Sequence, residues 1–351
     1  MKIKNKSFLS FLFIIIIFIG LIGRAIAKCP VRMGTEFPPK DFLVLANRGA
    51  TYKYPENTIS AFKYSIENDL ANALKVDLSF TLDHEIILWR YWESDDFLAL
   101  VRQEGNEPLL KFKPFVPPKF SKSRKKVNQL TLKEFRKNYS LIEKNNVKMD
   151  IQIPTLKEFL VWANRQSNLK LVLFNLRFSD SEKKIATIMF KEIKNIISEL
   201  QLIPHYQIVF STSNKKVLNL ITTKFKESLF AYDHEIPLNG VVNYDRYTTI
   251  PVAREFKNKF VIIGFQNHQK TSEIIKPDPW VIYRFILTRD FKLRDNYKKA
   301  GFDYIKIIAS KFNNEKKMEC LIRLGVDGIV TDRPKILRRI ALRLRKDLGF
   351  K

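Results

Sequence analysis

Leu43-Val44-Leu45-Ala46-Asn47-Arg48-Gly49-Ala50, then Pro55-Glu56-Asn57-Thr58, then Ala73-Leu74-Lys75-Val76-Asp77-Leu78 is the stretch around which the chain is organised. Phe42 to Leu45 is a short apolar run and a strand candidate. An Arg and a Gly follow it. Pro55 then opens a helix that carries Ile59, Phe62, Ile66 and Leu70 on one face. The run at 73–78 sets polar between apolar residues and predicts a second strand. Strand, loop, helix, strand at this spacing is a βαβ unit, and polar residues at strand ends are where such folds keep their chemistry.

The alternation continues along the chain. A turn at Asp83-His84 leads to a third strand candidate, Ile86 to Trp89. Tyr91 to about Gln129 then breaks the rhythm, with Pro108, Pro114, Pro117, Pro118 and a basic run from Lys119 to Lys126. It reads as an elaborated loop after the third strand, because it lacks apolar periodicity of its own. The basic run reads first as a solvated segment, with contact to a lipid headgroup or phosphate as the alternative. Further strand candidates are Leu169–Arg177, Gln207–Ser211, Ser228–Tyr232, Phe260–Gly264, Asp303–Ile308 and Val326–Thr331. That makes nine for a barrel of eight, and Phe260–Gly264 is taken as the surplus piece outside the barrel.

A chain of 351 residues is long enough for one large α/β barrel. Its net charge is +26, of which +22 remains once the leader is set aside. Lysine-rich solvated faces are the plain reading of that charge. Attraction to an anionic membrane surface or to phosphorylated ligands is the functional one. No nucleic-acid-binding motif accompanies it, so nucleic acid is not an expected partner. Residues 1–27 combine Lys2, Lys4 and Lys6, an apolar centre from Phe8 to Ile19, and Ala25-Ile26-Ala27, the pattern of an export signal cleaved after Ala27. An uncleaved anchor and a lipidated Cys29 are the alternatives. The expected location is exported: periplasm, cell envelope or extracellular. Cys29 and Cys320 are the two cysteines. Cys320 sits beside Leu321 in a helical pattern and is expected to be a buried free thiol, with a Cys29–Cys320 disulfide as the alternative in an oxidising compartment.

Arg48-Gly49-Ala50, Pro55-Glu56-Asn57-Thr58, Asp77 and the closing run Gly325-Val326-Asp327-Gly328-Ile329-Val330-Thr331-Asp332-Arg333-Pro334 resemble the glycerophosphodiester phosphodiesterase family. That family opens with His-Arg-Gly-Ala, then Pro-Glu-Asn-Thr, then Glu-x-Asp. Leu130-Thr131-Leu132-Lys133-Glu134-Phe135 and Ile153-Pro154-Thr155-Leu156-Lys157-Glu158 are similar to its later phrases. The resemblance covers about residues 42–340 and is weak from about 213 to 300. It implies a single (β/α)₈ TIM barrel; the residues themselves add the signal peptide before it, an enlarged third βα loop at 91–129 and a basic helix end at 341–351.

The resemblance also implies a reaction: phosphoric diester hydrolysis with Ca²⁺ or Mg²⁺ held by carboxylates and two His as acid and base. This chain departs from that site. Asn47 stands at the first His position and Arg90 at the second. Lys75 and Asn175 replace the Glu ligands, so Asp77 is the one retained metal carboxylate, and Arg177 replaces a Lys. Arg48, Lys75, Arg90 and Arg177 are therefore the candidate phosphate-binding cations, with Lys75 expected to lie near the metal position and to be held by Asp77. No cofactor is expected. The leading expectation is a catalytically impaired family member of lipid or phosphodiester metabolism that binds a phosphodiester or phospholipid headgroup. The alternatives are a metal-independent phosphodiesterase using His234 and His268 as substitutes, His234 being placed at the mouth after its strand, and a structural envelope protein.

Overall fold

The computed structural model describes residues 38–90, 111–143, 151–201, 203–236, 249–265 and 279–347, together with Cys29. The leader, His268 and residues 91–110 of the expected loop lie outside the described residues. Eight parallel strands close into a barrel in the order β1 (Leu43–Asn47), β2 (Ala73–Asp77), β7 (Leu171–Asn175), β8 (Gln207–Thr212), β9 (Leu229–Ile236), β10 (Phe260–Phe265), β11 (Lys306–Ala309) and β12 (Gly328–Thr331), which returns to β1. Strands buried on both faces read as apolar runs, as these do.

Two strand assignments change places relative to the sequence reading. Phe260–Phe265 is a barrel strand, paired along its length with β9 (Ile262↔Asp233, Ile263↔His234) and with β11. The strand at Ile86–Ile87 (β4) stands outside the barrel. It pairs antiparallel with β3 (Ser79–Phe80) around the Asp83-His84 turn, where His84 takes φ +65°. A parallel crossover needs a dozen or more residues, and too few separate Asp77 from Ile86. The elaborated segment does follow Ile86–Ile87, but within the barrel the insertion runs from β2 to β7. It holds a second antiparallel pair, β5 (Phe112–Phe115) with β6 (Ser140–Glu143), and its own small core of Ile87, Trp89, Val127, Leu130, Phe135, Tyr139, Leu141 and Ile153.

The two family-like phrases are helix starts. Thr131 and Glu134 form a capping box at the head of Leu132–Asn138, and Thr155 and Glu158 do the same for Leu156–Ala163. Each box satisfies two otherwise orphaned backbone donors and so fixes where the helix begins.

Inside the barrel, every second residue of each strand faces the axis. Leu43, Leu45, Ala73, Leu171, Leu173, Val209, Ala231, Phe260, Ile262, Ile308 and Val330 fill it. The outward set packs against the helices in the larger core. Below the barrel, Asp327 precedes β12 and accepts hydrogen bonds from Arg294 Nη1, Tyr304 Oη and Ile307 N, each at 2.8 Å. This ties the closing strand to its neighbours at the end away from the mouth.

Cys29 and Cys320 form a disulfide, which corrects the expected free thiol. The helix carrying Cys320 (Glu315–Leu324) packs on the barrel's outside. Among the described residues no helix is long and apolar enough to cross a membrane.

Candidate functional site

The inward alternation that places Leu43 and Leu45 in the barrel core continues to Asn47, and likewise to Lys75 and Asp77, Asn175, Ser211, Asp233 and Asp332 at the C-terminal ends. The top of the barrel is thereby lined with polar groups above apolar layers, the usual mouth of this architecture.

The turn after β1 is held tightly. Arg48 N donates to Lys75 O at 2.8 Å and Asn57 N to Arg48 O at 3.0 Å. Arg48 and Asn57 both adopt left-handed backbone (φ +59° and +52°), a conformation that costs a non-glycine residue on the order of 1 kcal/mol or more. Gly49, at φ +87°, lies so close to the following helix that a Cβ would stand 2.6 Å from that of Ala61. The strain buys position: the Arg48 side chain is fully buried at the mouth.

Arg48 Nη1 is paired with Glu56, and its Nη2 lies 3.8 Å from Asp332 Oδ1. Asp332 also accepts from Asn47 Nδ2 at 2.7 Å and Asn313 Nδ2 at 2.8 Å, and pairs with Lys311 at 3.1 Å. Burial would raise the Asp332 carboxyl; Lys311, Arg48 and these amide donors outweigh it and hold the group below the usual range. Asn47, at the position of an expected histidine, thus serves as a donor to a buried carboxylate.

Lys75 does not rest on Asp77. Its Nζ crosses the barrel to Asp233 Oδ2 at 2.9 Å. Asp77 instead sits opposite Asn175 in register and accepts from its Nδ2 at 2.5 Å. Burial alone would raise the Asp77 carboxyl, but Arg90, Arg48 and Arg177, with the Asn175 hydrogen bond, pull it down to about 2. Arg90 and Arg177 are half-buried at the rim. The charges of Arg48, Arg90 and Arg177 therefore converge on Asp77, while Lys75 is placed elsewhere.

Three carboxylates at the mouth were not among the candidate site residues. Glu56, Asp233 and Asp332 join Asp77, so among the described residues Arg48, Lys75, Arg90, Arg177 and Lys311 face these four acids at the mouth. Alternation along the strand could have found Asp233, and the matched closing run already contained Asp332; Lys311 carries no sequence signal.

His234 is placed differently from expectation. It lies within β9, one residue out of phase with Asp233, and faces outward against Tyr232 with ring centroids 5.7 Å apart. Burial first, then Lys215 and Arg289, lowers it to about 4 against the opposing pull of Asp233. It does not reach the mouth.

Several buried polar atoms at the mouth have no hydrogen-bond partner: Arg48 Nε and Nη2, Asn57 Nδ2, and Asp77 Oδ2. Buried polar groups without a partner are rare and costly, which sets these atoms apart from the rest of the mouth.

A closed parallel barrel of eight strands, with helices between them and polar groups at the strands' C-terminal ends, defines a TIM-barrel protein. The chain belongs to the glycerophosphoryl diester phosphodiesterase family, whose sequence profile matches residues 48–336. It is 24% identical over 297 residues to the uncharacterized protein YqiK of Bacillus subtilis, covering 83% of this chain and 95% of that one. In fold it is similar to a putative glycerophosphoryl diester phosphodiesterase from Silicibacter pomeroyi (TM-score 0.61, 17% identity, covering 88% of this chain and 94% of the other). It is similar also to a phosphodiesterase from Oleispira antarctica solved in complex with its product sn-glycerol-3-phosphate (TM-score 0.55, 14% identity, covering 84% and 95%).

Proposed function

We propose that this family member binds a phosphodiester or phospholipid headgroup at the barrel mouth and has lost metal-dependent hydrolysis. The observation that carries this is the buried Arg48, with two guanidinium nitrogens lacking a hydrogen-bond partner, beside the partnerless Oδ2 of Asp77. Arg48 and Asn57 Nδ2 would donate to phosphate oxygens, with Arg90 and Arg177 adding charge from the rim. Asp77 Oδ2 would accept from a ligand hydroxyl, as a glycerol or alcohol moiety offers.

The residues at the family's metal positions do not fit a divalent cation. They are one carboxylate ringed by guanidiniums, one amide already donating to it, and an ammonium engaged by Asp233. Among the described residues no group of three or more His, Cys, Asp and Glu is placed to hold a metal. Acid–base catalysis near neutrality needs a group that titrates there. Asn47 and Arg90 cannot serve, and His234 faces away.

The reading predicts no turnover of glycerophosphocholine or bis-(p-nitrophenyl) phosphate above background, with or without added Ca²⁺. It also predicts thermal stabilisation by sn-glycerol 3-phosphate that EDTA does not abolish. At a hundred times the dissociation constant the ligand adds about 2.7 kcal/mol, or about 5 °C at this size. Metal-stimulated turnover, or no thermal shift, overturns the reading. An exported location belongs to the same proposal, supported by the Cys29–Cys320 disulfide. Thiol labelling of protein denatured straight from cells should find both cysteines blocked; two reactive thiols would argue against export.

A further inference from the structure

The insertion carries a density of charge that the mouth does not use. Between Lys111 and Leu130 there are seven Lys and Arg and no Asp or Glu. Within this stretch the turn at 117–126 has a defined shape. Ser121 N donates to Pro118 O at 2.8 Å, Arg124 N to Ser121 O at 3.0 Å, and Arg124 Nη1 to Pro117 O at 2.9 Å. These bonds raise Phe120 at the crest, where it is 96% exposed, with Lys119, Lys122 and Lys125 exposed around it.

The turn is fastened to the mouth side of the barrel. Lys125 N donates to the Tyr139 hydroxyl at 3.0 Å, and the Tyr139 ring stacks on Phe135 at 4.9 Å. Phe135 meets Trp89 edge-on at 5.3 Å, and the residue after Trp89 is Arg90, whose charge acts on Asp77. One packed aromatic series thus leads from the candidate site to the basic crest.

A single exposed apolar side chain is ordinary on a protein surface. An aromatic ring held outward amid a ring of cations, with no acid nearby in sequence, is the composition that suits the headgroup layer of an anionic membrane. Lysines there meet lipid phosphates and carboxylates while the ring enters the acyl boundary. We propose that the 117–126 turn docks the barrel on an anionic lipid bilayer, with Lys119, Lys122 and Lys125 at the headgroups and Phe120 inserted between them. This surface is separate from the mouth and does not depend on the ligand held there.

The test uses the full chain and co-sedimentation with vesicles of phosphatidylcholine alone or mixed with phosphatidylserine. Each cation near such a surface is worth about fivefold in partition, so Lys119→Gln/Lys122→Gln/Lys125→Gln should weaken binding to the mixed vesicles about a hundredfold. Phe120→Ala should weaken it about tenfold, and salt should reduce what remains. Unchanged melting temperatures verify the fold; should the triple variant unfold, Lys119→Gln alone carries the fivefold expectation. Equal binding to vesicles without phosphatidylserine, or a triple variant that binds like the parent, overturns the proposal and points to the apolar leader. A silent Phe120→Ala, with equal loss of polyglutamate binding in the triple variant, also overturns it, because that is a general polyanion surface.

Discussion

Asp77→Asn tests the mouth most directly. The substitution keeps size and an oxygen acceptor for Asn175 but removes the charge that balances Arg90, Arg48 and Arg177. Asp77 is buried and its carboxyl is nevertheless lowered to about 2, so the cations favour its charged form by roughly 2–3 kcal/mol net of burial. Losing that interaction should lower the melting temperature by about 4–6 °C, taking about 2 °C per kcal/mol for a chain of this size. Differential scanning calorimetry in phosphate-free buffer measures it. Inorganic phosphate should then restore stability more in the variant than in the parent, because the ligand supplies the missing negative charge to the same guanidiniums. Three results would refute the reasoning: a variant as stable as the parent, a phosphate effect no larger in the variant, or Ca²⁺ stabilising the parent and not the variant.

Breaking the second mouth ion pair should cost more. Lys75→Met leaves Asp233 buried without its partner and should destabilise by roughly 3–5 kcal/mol in urea titrations, while Lys75→Met/Asp233→Leu should recover most of the loss. Gly49→Ala combines a clash with Ala61 and a left-handed backbone and should lower stability by at least about 2 kcal/mol, measured the same way. Cys320→Ser should lower it by about 2–4 kcal/mol under oxidising conditions and leave dithiothreitol with no further effect on the melting temperature. The pH profile should be a plateau followed by a cliff. His234, lowered to about 4, loses stability as pH falls from about 6.5 to 4, while Asp290, raised to about 6 chiefly by burial, gains as pH falls across nearly the same window. Each shift is worth about 3 kcal/mol with opposite sign, so they cancel until pH falls below about 4, where the unfolded chain's Asp77 takes up a proton that the folded carboxyl, held at about 2, does not. His234→Gln should expose the Asp290 gain as stability that rises between pH 6 and 4; a steady decline in the parent from pH 6.5 downward contradicts this balance.

The first two barrel strands, the last one and the Pro55–Thr58 loop were legible because strand ends there carry distinctive residues. The count of barrel strands was not. Ile86–Trp89 and Phe260–Gly264 are equally apolar, and periodicity cannot separate a hairpin arm from a barrel stave. Spacing could have: the short gap from Asp77 to Ile86 permits only an antiparallel return, and the long segments flanking Phe260 allow parallel crossovers. Site residues on β2 and β7 were legible from their matched positions, but their partners were not. Whether Lys75 meets Asp77 or Asp233 depends on reach across the barrel, which no local pattern encodes. Asp233 hid beside the more conspicuous His234, although the two face opposite sides of the same strand.

The pairing of Leu43 with Gly328 makes neighbours of the first and last staves. Until the final stretch through Asp332 is in place, the partial sheet keeps an open edge at each end; only then can the ring shut. Such long-separation closure is slow, and the waiting edges invite pairing with other chains. A copy that stops before Gly328 would lack the keystone and should be found in aggregates, and not as a smaller soluble barrel.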